Sequence, residues 1–280
     1  MTAVLALASA LIIGGSDFSG GVATRHDSTF RVTAVAQITG GLTAIVFALV
    51  VGADELLRAD VLGGVAAGLS GTFSFICFYR ALSIGVMSVV APTTAVVGAS
   101  IPAAVGIARG EDVSALTGFG LVVAVIAIVL VTREGSSDAV DAAASRLALG
   151  LALTAGLGFS VFFIALAETN DAAGMWPLVI ARGVSVPIVC VVALSATGRV
   201  IPSIPVSRRL AVLTGVTEMI ANALLLVALR RGEVAVASVF GSLYPVSTVL
   251  LAWMFLKERV NAAQLAGVAL ALGALVLVAR

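Results

Sequence analysis

Ten long apolar runs constrain this chain more than any other feature. They lie at 2–22, 31–51, 60–80, 85–108 and 114–132, then at 147–167, 174–196, 208–229, 233–255 and 261–279. Each is close to the ~20 apolar residues a helix needs to cross the hydrocarbon core of a bilayer. Charges or turn residues bound most of them, the pattern by which spans are read from hydropathy. Barrel strands are only about 10 residues long and alternate in polarity, whereas these runs are continuously apolar. The sequence therefore predicts an all-α membrane protein of ten transmembrane helices. In a chain of 280 residues this leaves short connections and no room for a soluble domain of ordinary size.

Composition narrows the function classes. Hydrophobic residues make up 60% of the chain and charged residues 11%, against roughly 45–50% and 25% in soluble domains. A soluble enzyme, a disordered chain, a disulfide scaffold and a fibrous repeat are excluded. A net charge of +1 offers no basic field, so no nucleic-acid partner is expected. Cys77 and Cys190 sit in separate apolar runs, and the single histidine, His26, sits in a polar loop. No metal centre, cofactor or histidine-based catalyst is expected from that supply. There is no G-x-x-x-x-G-K-[ST] loop, so ATP hydrolysis by that route is excluded. The first run contains Ala6-Leu7-Ala8 but no basic residue before it, and reads as an uncleaved span.

The two halves resemble each other. Sliding 81–131 onto 228–278 places Ala81-Leu82 on Ala228-Leu229 and Gly85 on Gly232. The same slide places Glu111-x-Val113 on Glu258-x-Val260 and Gly120 on Gly267. Near the start of each half, Gly14-Gly15-Ser16-Asp17-Phe18 is similar to Gly158-Phe159-Ser160-Val161-Phe162. The expected units are 2–132 and 147–279, joined by a linker at 133–146. Five spans per unit is an odd number, so the second unit must enter the membrane from the opposite side. That is the inverted-topology pair common among secondary transporters, with the binding site near the midplane between repeats. Gly64-x-x-x-Gly68 and Gly106-x-x-x-Gly110 have the spacing that lets helix backbones approach closely.

Three segments carry a more specific likeness: Phe78-Tyr79-Arg80-Ala81-Leu82, Arg109-Gly110-Glu111-Asp112-Val113, and Leu256-Lys257-Glu258-Arg259-Val260 followed by Leu265-Ala266-Gly267. With them the chain resembles the EamA repeat of the drug/metabolite transporter superfamily, over nearly its whole length. The resemblance implies a ten-helix transporter, most members of which export amino acids, metabolites or toxic compounds. The chain departs from the pattern at Pro92-Thr93-Thr94, where the family's frequent acidic-Pro pair is missing. The likeness names no substrate.

Ionisable groups inside a span cost about 2.5–3.5 kcal/mol each on insertion scales and usually face a cavity or a partner. Asp17, Arg182 and Glu218 are such groups, with Gln37, Tyr79, Asn222 and Tyr244 as polar neighbours. Asn222 follows Glu218 by four residues and shares its helix face. By the repeat, Arg182 corresponds roughly to Gln37. These seven residues are the expected substrate-binding set. Arg182 suits a carboxylate or phosphate, because its planar fork matches such anions, and Glu218 suits an amine or a proton. Two plainer readings stand beside this one. Arg182 and Glu218 form an ion pair that only braces two helices, and Asp17 marks the aqueous end of the first span. Trp176 and Trp253 read as interface anchors.

Loops on one side carry 10 Lys and Arg residues, against 5 on the side holding both termini. The positive-inside rule then puts both termini outside the cytoplasm of a plasma (inner) membrane. The expectation is a non-enzymatic secondary active or facilitative transporter that exports a small metabolite or drug-like compound by alternating access. Its partners are a small-molecule substrate and the lipid bilayer, with proton or ion coupling left open. The alternatives are an intramembrane lipid-modifying enzyme and a non-transporting scaffold or sensor.

Overall fold

The computed structural model describes residues 2–108, 139–231 and 244–257, with isolated positions between 119 and 126 and between 265 and 273. Every described element is helical: α1 (Thr2–His26), α2 (Thr29–Val51), α3 (Arg58–Ile84), α4 (Met87–Ala108), α5 (Ala139–Ala167), α6 (Trp176–Thr197), α7 (Pro205–Arg231) and α8 (Tyr244–Leu251). A short 3-10 turn (Asp171–Ala173) precedes α6, and a π-helical turn (Ala252–Leu256) extends α8. Helices follow from the solvent. In lipid every backbone N–H and C=O must be paired within the segment, which a helix achieves alone. By length and composition, five of these helices can cross a membrane, running over Thr29–Val51, Arg58–Ile84, Ala143–Ala167, Trp176–Thr197 and Pro205–Val227.

Boundaries follow turn chemistry. Pro177 stands in the first turn of α6, where its missing N–H is harmless. Gly198 closes the same helix at φ 68°, a left-handed conformation suited to glycine. α5 begins at Ala139, so residues 139–146, expected in the linker, are helical. The alanine-rich stretch Ala139–Arg146 favours helix on its own propensity. The expected runs at 114–132 and 261–279 lie largely outside the described residues, as does the Glu111–Glu258 correspondence. The described part of the run at 233–255 begins at Tyr244.

The chain is apolar outside as well as inside. Leu49, Val50, Leu62 and Trp253 are exposed, as expected of surfaces solvated by lipid. Trp176 instead packs partly buried against Ala44, Met175 and Met219. α1 lies along α7, α3 along α5, and α2 touches both α6 and α7. α3 also meets α6, α4 meets α5, and α8 meets α1. Gly64 and Gly68 face α6: a methyl group added to Gly68 would lie 2.6 Å from the Ala181 carbonyl oxygen. Close backbone approach is therefore what the Gly64-x-x-x-Gly68 spacing achieves.

Two ties join loops at opposite ends of α2. At its start, Asp27 Oδ2 accepts from Ile204 N at 3.0 Å, and Arg31 pairs with Asp27 at 3.0 Å and donates to Ser203 Oγ at 2.5 Å. At its far end, Asp60 Oδ1 accepts from Asn170 N at 2.6 Å, and Asp54 N donates to the Ala172 carbonyl at 2.9 Å. Gly174, at φ 56°, presses on the Gly52 carbonyl there, where a side chain would collide. α2 runs from the first tie to the second, and α6 runs from the second to the first. The two helices are therefore antiparallel neighbours.

Candidate functional site

Four helices converge on Arg182. It is 6% exposed, on α6, and its guanidinium is engaged from α7, α2 and α3. Nη2 pairs with Glu218 Oε1 of α7 at 2.5 Å. Nη1 donates to Gln37 Oε1 of α2. The group lies 5.7 Å from the ring centroid of Phe75 on α3, within cation–π range. Each acceptor is itself shared: Ser185 Oγ donates to Gln37 Oε1 at 3.0 Å, and Asn222 Nδ2 donates to Glu218 Oε1 at 3.3 Å. Charge-assisted bonds of this kind are the strong ones, and they satisfy a charge that burial would otherwise penalise heavily.

Glycine makes the convergence possible. A methyl group added to Gly41 would sit 3.4 Å from Arg182 Cβ, and one added to Gly40 would sit 3.1 Å from the Gly215 carbonyl. Ser185, Phe75, Gly40, Gly41 and Gly215 are site residues that reading the sequence did not single out. A signal existed for most of them. Ser185 stands one turn after Arg182, Gly40 and Gly41 one turn after Gln37, and Gly215 one turn before Glu218.

The expected set divides in three. Arg182, Glu218, Gln37 and Asn222 form one hydrogen-bonded group. Asp17 is buried, and it stands well inside α1 rather than at its aqueous end. About two turns of helix, roughly 12 Å at 1.5 Å per residue, separate it from Arg25. The helix continues past the expected boundary because Gly20–Thr24 stays buried against α3 and α4. Tyr79 is fully buried, within reach of the charges of Asp17, Glu218 and Arg182. Tyr244, half-buried on α8, is within reach of the charge of Asp17.

Beside Arg182, between α2, α3, α5 and α6, lies a cleft lined by Gln37, Gly68, Thr72, Phe75, Phe162 and Ser185 among others. Its space for a water centre is about 10 Å³, roughly one water. The arrangement can hold a charged group out of water and present Arg182 and Gln37 to a small cleft. A second pocket, of about 30 Å³, opens away from this group and is lined by Gly85, Val89, Val90, Ser145 and Ala148 among others.

A buried charge cluster inside a bundle of apolar, lipid-exposed helices defines a multi-pass helical membrane protein. Residues 145–280 match the model of the EamA-like transporter family. A solved structure described only as "Crystal structure of protein" superposes with a TM-score of 0.61 at 19% identity, over 97% of this chain and 97% of that one. The shared fold thus runs the length of the chain. A comparison with curated proteins finds no match.

Proposed function

We propose that the chain is a secondary active or facilitative transporter. It exports a small metabolite or drug-like compound across a plasma membrane, by alternating access through a polar cavity around Arg182. The observation that carries this reading is the position of the Arg182–Glu218–Gln37 group. It draws on helices of both halves, α2 from the first and α6 and α7 from the second, as substrate sites at repeat interfaces do. The family of residues 145–280 supports transport as the activity. Two inverted five-helix units, 2–132 and 147–279, are the proposed architecture. Its support is that α2 and α6, corresponding helices of the two units, are antiparallel neighbours. The contacts also exchange between halves: α1 on α7 answers α5 on α3, and α2 on α7 answers α6 on α3. The lysine and arginine count supports termini outside the cytoplasm.

A second reading is favoured by one observation, the closed Arg182–Glu218 ion pair. A brace of that kind suits a non-transporting scaffold equally well. Transport into sealed vesicles separates the two. Purified protein would be offered amino acids, sugars, nucleosides and cationic dyes, with and without a pH gradient, beside Arg182→Gln and Glu218→Gln. Uptake of one class that both substitutions abolish is expected. Uptake indifferent to both would make the pair a brace, and no uptake by folded protein would favour the scaffold.

A further inference from the structure

The two ends of the bundle carry opposite charge. Arg25, Arg146, Arg199, Arg208 and Arg209 are exposed at the end that holds the Asp27 tie. Asp27, the carboxylate described there, is already taken up by Arg31 and the Ile204 amide. At the other end Asp54, Glu55, Glu168 and Asp171 are exposed. The basic end also holds the second pocket, between the turn from α3 to α4 and the early part of α5. Its space, about 30 Å³, is roughly two to three times what one water needs. It narrows where α5 crosses Gly85, since a methyl group added there would lie 2.7 Å from Ala148 Cβ.

Two arginines flank this pocket. Arg25 Nε donates to the Leu82 carbonyl at 3.3 Å and Nη2 to the Gly85 carbonyl at 3.0 Å, which fixes the guanidinium against the pocket wall. Arg146 follows Ser145 on α5 and stands three residues before Leu149, a neighbouring position on the helix surface. Val86, Val89 and Leu149 border the opening as half-exposed apolar side chains. Basic pockets between transmembrane helices suit anionic lipid headgroups, and an apolar border suits the chains below them.

We propose that this pocket seats the phosphate of an anionic phospholipid from the leaflet at the basic end. Arg25 and Arg146 match its charge, and the Ser145 hydroxyl donates to a phosphate oxygen. The acyl chains run past Val86, Val89 and Leu149. Arg25 belongs to the first half of the chain and Arg146 to the second, so the bound lipid ties the halves together at their edge. A zwitterionic lipid binds less well, because its ammonium group meets the same arginines. The inference rests on the membrane reading of the fold and not on transport.

Lipid retention tests it. The full chain, purified in maltoside micelles, would be titrated with dihexanoyl phosphatidylglycerol, dihexanoyl phosphatidylcholine and glycerol phosphate. Thermal unfolding reads binding, and native mass spectrometry counts retained lipid. Phosphatidylglycerol should raise the midpoint and stay bound at about one copy per chain, and the other two should do neither. Arg25→Gln and Arg146→Gln should each weaken that titration roughly fivefold, the loss of one charge contact. Ser145→Leu should abolish retention by filling the pocket at unchanged charge. Arg209→Gln, on α7 and away from the pocket, should titrate as wild type. Equal binding of the two lipids, or wild-type retention by Ser145→Leu, overturns the seat. So does an Arg209→Gln loss as large as that of Arg146→Gln, which would mark a diffuse response to charge. Glycerol phosphate binding as tightly as phosphatidylglycerol overturns the lipid as occupant. If Arg25→Gln does not fold, Arg146→Gln and Ser145→Leu, both at exposed positions, decide. No substrate is present in these titrations, so their failure leaves vesicle uptake untouched.

Discussion

The contact of α1 with α7 and that of α3 with α5 correspond under the proposed repeat, and they are closed by different chemistry. Along α1–α7 the closure is polar. Ser9 Oγ donates to the Ala221 carbonyl at 2.7 Å, Ser16 Oγ donates to the Thr214 carbonyl at 2.9 Å, and Ser19 and Thr214 share a hydroxyl bond at 2.7 Å. Along α3–α5 the hydroxyls turn inward. Ser74 bonds Ser70 and Thr72 bonds Gly68, both within α3. Aromatic rings do the closing there: Phe159 meets Phe75 edge-on at 4.9 Å and Phe78 at 6.0 Å, while Phe162 fills the notch at Gly71. Hydrogen bonds are directional and fix register; ring contacts tolerate sliding. The fixed contact carries Asp17 and Glu218. The tolerant one borders the cleft beside Arg182. The two contacts thus differ in how tightly they restrain the helices they join.

Substitutions can break or sharpen this contrast, and unfolding in mixed micelles is the measurement. The largest effect belongs to the charge pair that the polar contact supports. Arg182→Gln alone should cost about 3–5 kcal/mol by stranding Glu218. The double substitution Arg182→Gln, Glu218→Gln should recover most of that, and a double no more stable than the single would deny that stranded charge is the cause. Next comes Phe159→Ala, the test of the aromatic contact. It should cost roughly 2 kcal/mol, below the 3–5 of a fully buried ring because Phe159 is only partly buried. Ser16→Ala and Thr214→Val should each cost about 1 kcal/mol, the scale of interhelical hydrogen bonds in membranes. Combining Thr214→Val with Ser19→Ala should fall short of the sum, since the two share a bond. Ser74→Ala should change stability by less than about 0.5 kcal/mol, because its hydroxyl serves only its own helix. A Ser74 effect as large as that of Ser16 would erase the distinction between the contacts.

Arg182, Glu218, Asn222 and Gln37 were legible in the sequence because charge inside an apolar run is conspicuous and a four-residue step fixes a face. Gly64 and Gly68 were legible for the same geometric reason. The direction in which a face points was not. Hydropathy marks Tyr79 as polar within a span, but it does not distinguish an interfacial ring from one packed on Gly20 beneath a second helix. Asp17 was named from the sequence, but its depth was not legible. The expected run at 2–22 puts it near the end of its span, whereas α1 continues to His26, and Gly14 and Ser16 are where it meets α8 and α7. Ser185 was overlooked because serine is unremarkable until the arginine one turn away is known to share its acceptor.

The loop ties at the ends of α2 bear on how such a sequence can drift. In each, a carboxylate, Asp27 or Asp60, grips a main-chain amide, that of Ile204 or Asn170. Any residue but proline supplies the amide, whereas only an acidic or closely similar side chain supplies the grip. Mutational tolerance should therefore be lopsided, with position 204 accepting most replacements and positions 27 and 60 very few; position 170 is narrower than 204, because Asn170 Oδ1 also accepts from Ala172 N at 3.0 Å. A saturation library scored for surface-stable protein would show that imbalance as narrow columns at 27 and 60 facing a broad one at 204.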